Sequence, residues 1–229
     1  MRIGGLQEAS LIDYPGKICC IIFTRGCNFR CPYCHNPELV ESSRYGELLN
    51  EDDFFSFLKR REGKLDAVSV TGGEPTLQPD LTDFLKRVKK KGFAVKLDSN
   101  GSDPEKLKEL LEQGLVDYAA MDVKAPLEAY ERVVKAPVNA KTIRESIQII
   151  KNIAPDYEFR TTWVRELLKP EDILEIAKEI KGAKNYFLQN FVSSKTLSTE
   201  AESYTTFSEE DLEKIRPKLE KLVEKLNVR

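Results

Sequence analysis

The sequence predicts an α/β fold built on parallel strands, and three observations lead there. Six short runs rich in β-branched and apolar residues recur along the chain. Helical patterns lie between them, so strand and helix alternate, and each strand needs a crossover helix to reach a parallel neighbour. Gly, Glu, Asp, Asn and Cys gather just after the ends of the first four strands, which is the functional edge of parallel α/β folds. Read from the residues alone, the sheet is either an open doubly wound one or a barrel-like curl.

The first strand is residues 18–24 (ICCIIFT), after a loop shaped by Asp13, Pro15 and Gly16. Cys19 and Cys20 within it read as buried core, because a free cysteine packs as a small hydrophobe. A helix over 51–62 leads to a strand at 67–71 (AVSVT), and a helix over 79–91 to a strand at 93–98 (FAVKLD). The helix at 104–114 has a mechanistic start signal: Asp103 offers a capping carboxylate, and Pro104 fits the first helical position, where a missing N–H costs nothing. Pro79 and Pro170 are assigned to the same slot. A strand at 116–122 (VDYAAMD), helices at 126–134 and 139–153, a strand at 157–163 (YEFRTTW), a helix at 170–181 and a strand at 185–191 (NYFLQNF) complete the alternation. A charged helix over 208–226 carries Leu212, Ile215, Leu219, Leu222, Val223 and Leu226 at helical spacing and covers the core. No repeat, low-complexity tract or linker divides the chain, so one domain is expected over 1–229, with its core from about 15 to 195.

Charge and composition exclude several classes. Among 229 residues, 36 Lys and Arg face 38 Asp and Glu, a net charge of −2, without the basic excess of a nucleic-acid footprint. With 41% hydrophobic and 32% charged residues, the chain can bury a large core and is not disordered. The longest purely apolar run, Ile18 to Phe23, is far short of the roughly 20 residues a membrane span needs, and MRIGGLQEAS is no signal sequence. A soluble, cytoplasmic protein with no nucleic-acid or membrane partner is expected.

Chemistry concentrates in the loop after the first strand, RGCNFRCPYCHNPEL. Cys27, Cys31 and Cys34 lie within eight residues, at gaps that let a folded loop point three thiolates at one centre. In a reducing compartment such a cluster binds metal rather than forming disulfides. Two centres suit it. Three cysteines can hold an iron–sulfur cube with one iron free, and zinc closes with four ligands, which requires His35 to join from a strained position beside Cys34. The spacing favours iron and sulfur. As the one histidine, His35 is also the one possible base of a hydrolase triad, and no Gly-x-Ser-x-Gly elbow accompanies it; a place beside the cluster, tuning it by hydrogen bonding, suits it better.

The Cys-x3-Cys-x2-Cys loop resembles that of the radical S-adenosylmethionine (SAM) enzymes. With SLIDYPGK before it, and TGGEPTLQ, KLDSNG and MDVKAP after it, the chain is similar over residues 10 to 126 to the glycyl-radical-enzyme activating enzymes, above all those acting on anaerobic ribonucleoside-triphosphate reductase. The resemblance implies an α/β fold of the radical SAM type, a partial (β/α)6 TIM-like barrel. It further implies that Cys27, Cys31 and Cys34 hold a 4Fe-4S cluster whose fourth iron is chelated by SAM, and that reductive cleavage of SAM yields a 5′-deoxyadenosyl radical. The implied partners are a glycyl-radical enzyme, either that reductase or pyruvate formate-lyase, and a one-electron donor such as flavodoxin or ferredoxin. A zinc-stabilised interaction protein is the alternative of a different class.

Carried onto this sequence, the resemblance puts Tyr33 near the SAM adenine and Glu74, after Gly72 and Gly73, against the methionine amino group. A Gly-Gly turn lets backbone approach a ligand, and a carboxylate accepts from an ammonium. Asp98, Ser99 and Asn100 after the third strand, with Asp122 and Lys124 after the fourth, correspond to a SAM-side region that includes a monovalent-cation site. The plain alternative there is an ion pair of Asp98 or Asp122 with Lys124. Arg160 can point into the barrel toward the SAM carboxylate or, by alternation, outward, and Gln189 lies near the end of the sixth strand.

Overall fold

A computed structural model of residues 1–229 carries one eight-stranded sheet in the order β1 to β8. The strands are β1 (Ile3–Ser10), β2 (Cys19–Thr24), β3 (Ala67–Gly72), β4 (Ala94–Ser99), β5 (Tyr118–Asp122), β6 (Tyr157–Trp163), β7 (Tyr186–Asn190) and β8 (Leu226–Val228). The helices are α1 (Pro37–Val40), α2 (Glu51–Arg60), α3 (Leu81–Lys90), α4 (Pro104–Glu112), α5 (Tyr130–Val134), α6 (Ala140–Ile153), α7 (Pro170–Glu179) and α8 (Glu209–Leu219). Strands β2 to β8 are parallel, and β2 to β7 are the six expected runs. The two outermost strands do not pair with each other, so the curl is a partial barrel that stays open at its side.

Alternation sorts the strand residues into two clusters. Cys20, Ile22, Val68, Val70, Val95, Leu97, Phe159 and Leu188 join the helices in a core of 55 buried residues. Cys19, Ile21, Ala67, Tyr118 and Ala120 point the other way and form a separate cluster of six with Tyr14. Both Cys19 and Cys20 are fully buried, each in a different cluster. Next to this small apolar floor, the same inner face carries Lys96, Asp98, Asp122, Glu158 and Arg160.

Four parts of the sequence reading need correction. Residues 3–10 form an antiparallel edge strand on β2, which Gly4, Gly5 and a run of polar residues hid, since glycine is depleted in strands. The helix expected over 208–226 ends at Leu219, with Pro217 in its last turn, and the chain then turns so that Leu226–Val228 pairs with β7. Proline removes a helix donor and crowds the preceding turn. Pro79 precedes the Asp80 N-cap instead of occupying the first turn, whereas Pro104 and Pro170 do occupy it. The stretch 126–134 is likewise shorter than expected, splitting into a 3-10 turn and α5.

Candidate active site

All three loop cysteines open on one cavity at the carboxyl ends of the strands, about 870 Å3 with its open mouth included. Tyr33, Gly72, Gly73, Glu74, Asp98, Ser99, Asn100, Asp122, Lys124 and Arg160 line it as well. Gln189 does not; it is half-buried on β7 beside its register partner Thr162, which does. The cavity also takes in residues the sequence reading passed over, among them Phe29, Asn36 and Thr162.

The cysteine loop is anchored from two sides. Arg30 donates its backbone N–H to the Val134 carbonyl at 2.8 Å, and Ser198 donates to the Pro32 carbonyl at 3.0 Å. His35 stacks on Phe191, ring centres 5.5 Å apart, and its Nε2 lies 2.9 Å from the Val192 carbonyl, so Nε2 is the protonated nitrogen. The histidine therefore ties the loop to the segment after β7; its ring bonds this carbonyl and not a cysteine sulfur.

Around the sulfurs, the Phe29 N–H donates to Cys27 Sγ at 3.4 Å, and Asn100 Nδ2 approaches it at 3.9 Å. Burial pushes the Cys27 thiol up to about 12 and the Cys31 thiol up to about 11, and raises Cys34. Such thiols ionise only beside a compensating positive centre. None is in a disulfide. No set of three or more His, Cys, Asp or Glu side chains closes on a single-ion site. Three thiols that share a cavity without meeting at one point suit a multi-iron cluster, in which each cysteine binds its own iron, better than one zinc ion.

The Gly72-Gly73 pair is required by a contact within the protein itself. Gly72 has φ +118°, and a Cβ there would sit 2.3 Å from the Thr24 nitrogen; one on Gly73 would sit 2.0 Å from the Gly26 oxygen. The close approach is thus to the backbone leaving β2. Hydrogen bonds from Gly73 N to Thr24 O and Glu74 N to Gly26 O, both 2.8 Å, lock the end of β3 to the start of the cysteine loop.

Glu74, 1% exposed, accepts four hydrogen bonds. Oε1 takes the Thr76 N–H at 3.1 Å, the Thr76 hydroxyl at 2.6 Å and the Ser99 hydroxyl at 3.0 Å; Oε2 takes the Asn100 N–H at 2.6 Å. Burial still holds its carboxyl above the ordinary value, against the pull of these donors. Thr76 is the partner the sequence reading missed, although a Thr two residues after a buried acid is a recognisable local cap.

On the inner face, Arg160 points into the barrel. Its Nε donates to Asp122 Oδ1 at 2.7 Å and its Nη1 to Asp98 Oδ2 at 3.0 Å. Lys124 pairs with Asp122 Oδ2 at 3.2 Å, as the plain ion-pair reading allowed. Burial works to raise both carboxyls, but Arg160 leads the cations that hold Asp98 and Asp122 below the carboxylate range. Tyr130 accepts from the Lys124 N–H at 3.2 Å and donates to the Asp122 carbonyl at 3.3 Å, fixing the turn after β5.

A partial parallel barrel with three free cysteines in the loop after its first parallel strand defines a class, and comparison with known proteins gives the same one. The radical SAM superfamily model matches residues 21–162. A candidate glycyl-radical enzyme activating enzyme of Methanocaldococcus jannaschii is 34% identical over 99% of this chain and 95% of its own length. The pyruvate formate-lyase-activating enzyme of Clostridium pasteurianum is 27% identical over 80% of this chain and 78% of its own. Among solved structures, SuiB of Streptococcus suis superposes with a TM-score of 0.67 at 14% identity, covering 91% of this chain and 48% of that one, a likeness of fold. The chain belongs to the radical SAM superfamily and, within it, to the glycyl-radical-enzyme activating enzymes. Members of the superfamily use a 4Fe-4S cluster and SAM.

Proposed function

We propose that this chain holds a 4Fe-4S cluster on Cys27, Cys31 and Cys34, binds SAM in the adjoining cavity and generates a glycyl radical on anaerobic ribonucleoside-triphosphate reductase. The observation that carries the reading is the opening of three unpaired cysteines onto one cavity shared with Glu74 and Arg160. When bound, the cluster held by Cys27, Cys31 and Cys34 would supply one electron for cleavage of SAM to methionine and a 5′-deoxyadenosyl radical, which would take a hydrogen atom from a glycine α-carbon.

The chain's own residues orient and shield. Glu74 Oε2 accepts one protein donor and has capacity for the methionine ammonium. Arg160 commits Nε and Nη1 to the two aspartates, leaving Nη2 for a carboxylate. Tyr33, buried and edge-on to Phe191, offers its ring to the adenine and excludes water. Ser99 and Asn100 act through Glu74 and Lys124 through Asp122, while Gln189, outside the cavity wall, only backs Thr162. Flavodoxin or ferredoxin is the class of electron donor.

A second partner, pyruvate formate-lyase, is favoured by a specific observation, the similarity to its activating enzyme in Clostridium pasteurianum. One experiment separates the readings. The reduced enzyme is incubated with SAM and each glycyl-radical enzyme of the host, and a glycine-centred doublet in the electron spin resonance spectrum identifies the substrate. Deuterium on that glycine is expected in 5′-deoxyadenosine. Radical transfer to pyruvate formate-lyase alone would reassign the partner, and a zinc protein without sulfide would end the reading.

A further inference from the structure

The resemblance gives the Asp98 and Asp122 positions a share in a monovalent-cation site beside SAM. In this chain the carboxylates that would hold such an ion are already engaged. Asp122 gives Oδ1 to Arg160 and Oδ2 to Lys124, and Asp98 gives Oδ2 to Arg160. The remaining oxygen, Asp98 Oδ1, accepts from Lys96 Nζ.

Lys96 is an unusual residue for its place. It lies on β4 two residues before Asp98, so both side chains point to the inner face, and it is 1% exposed. Lysine is almost never buried so fully unless paired. Its second acid is Asp13, 3.6 Å away on the loop after β1. Asp13, Asp98 and Asp122 supply three negative charges, and Lys96, Lys124 and Arg160 supply three positive ones. Deeper in the barrel, Glu158 joins the same network through Arg160 Nη1 at 3.8 Å, and its charge is matched by Arg229 at 2.8 Å. The cluster is neutral without an ion. A metal cation would have to compete with Lys96 for Asp98 and leave the buried ammonium with only Asp13, 3.6 Å away, which is unfavourable.

We propose that the Lys96 ammonium takes the place of the monovalent cation, so that this enzyme orders the Asp98–Asp122 side of its SAM site without a metal ion. Lys96 is thereby a positioning residue: it acts through Asp98 on Arg160. A tethered ammonium with three donors makes the site independent of salt composition, which a diffusible ion cannot do.

The test has two arms, and the first does not depend on the SAM reading. Thallium(I), a potassium surrogate, is titrated by NMR against the apo protein; wild type is expected to show no saturable binding, and Lys96→Ala, with Asp13 and Asp98 uncovered, is expected to bind it. In the second arm, which rests on the proposed function, SAM affinity of the cluster-loaded enzyme is measured in choline, sodium and potassium chloride at equal ionic strength. Wild type should vary by less than about twofold, while Lys96→Ala should lose about tenfold in choline and recover it in potassium or sodium. Saturable thallium binding by wild type, or salt-identity dependence of its SAM affinity, overturns the proposal; so does a Lys96→Ala enzyme unchanged in choline. Should the variant not fold, the wild-type measurements decide alone. A wild type that binds no SAM at all defeats the proposed function, and the thallium arm still judges Lys96.

Discussion

The two faces of the same strands are built on opposite principles. On β6, Tyr157, Phe159 and Trp163 enter the outer apolar core, while Glu158 and Arg160, interleaved with them, face the lumen. Outer contacts are non-directional, and each adds by area removed from water. Inner ones are specific pairs, and losing one member leaves its partner charged and buried. The outer face therefore stabilises in bulk, by area buried, whereas the inner face sets what the cavity can bind and penalises any charge left without its partner.

Breaking the inner face should give the largest loss of stability. Arg160→Leu leaves Asp98 and Asp122 without their shared guanidinium, and is expected to cost about 3–5 kcal/mol in denaturant unfolding. Because both carboxyls are held below their unfolded values, the stability they contribute is complete above the unfolded range near about pH 4 and is lost as the pH falls further. The gap between wild type and Arg160→Leu should therefore be widest at neutral pH and narrow in acid. A gap that is constant with pH would show that the pairs contribute nothing.

An outer-face truncation provides the contrast. Ile147 on α6 is fully buried in the main core, and Ile147→Ala should cost about 2–5 kcal/mol while SAM affinity of the folded enzyme stays within about twofold. A tenfold change in affinity would mean that the two faces are not separable.

Glu74→Gln should have a smaller effect on folding and a distinct one on binding. The amide cannot accept everywhere the carboxylate does, because one of its two ends is a donor facing donors. A stability loss of about 1–3 kcal/mol and a SAM affinity loss of about tenfold are expected, with the cluster retained. Unaltered affinity would make Glu74 a tie between β3 and β4 and no more.

The smallest effect lies farthest from the cavity. Ser208 caps α8, accepting from the Asp211 N–H at 3.1 Å while the Asp211 carboxylate accepts in return, so Ser208→Ala should cost about 1 kcal/mol without changing SAM binding. No helix here is long and apolar enough to cross a membrane, and α8 instead packs on the core through Leu212, Ile215 and Leu219.

Strands β2 to β7 were legible in the sequence because each is a short, mostly apolar run bounded by turn or cap residues, and the cysteine loop because its spacing has few uses. β1 and β8 were not. β1 is a glycine-containing edge strand, and the last strand is three residues long at the end of a helical stripe whose periodicity continued past Pro217. Within the site, alternation alone leaves Arg160 free to face either way and does not mark Lys96 or Glu158, because the pairing across β4, β5 and β6 depends on register, which pattern alone does not specify. The role of Gly73 was hidden for the same reason: its crowding comes from Gly26, 47 positions away in the chain.

The most direct test of the central claim is iron and acid-labile sulfide analysis of the anaerobically reconstituted protein. About four of each per chain are expected in wild type and in Cys19→Ala, with both lost from Cys31→Ala, since the cube depends on three protein thiolates. Zinc in place of iron and sulfide, or an unchanged cluster in Cys31→Ala, would contradict it.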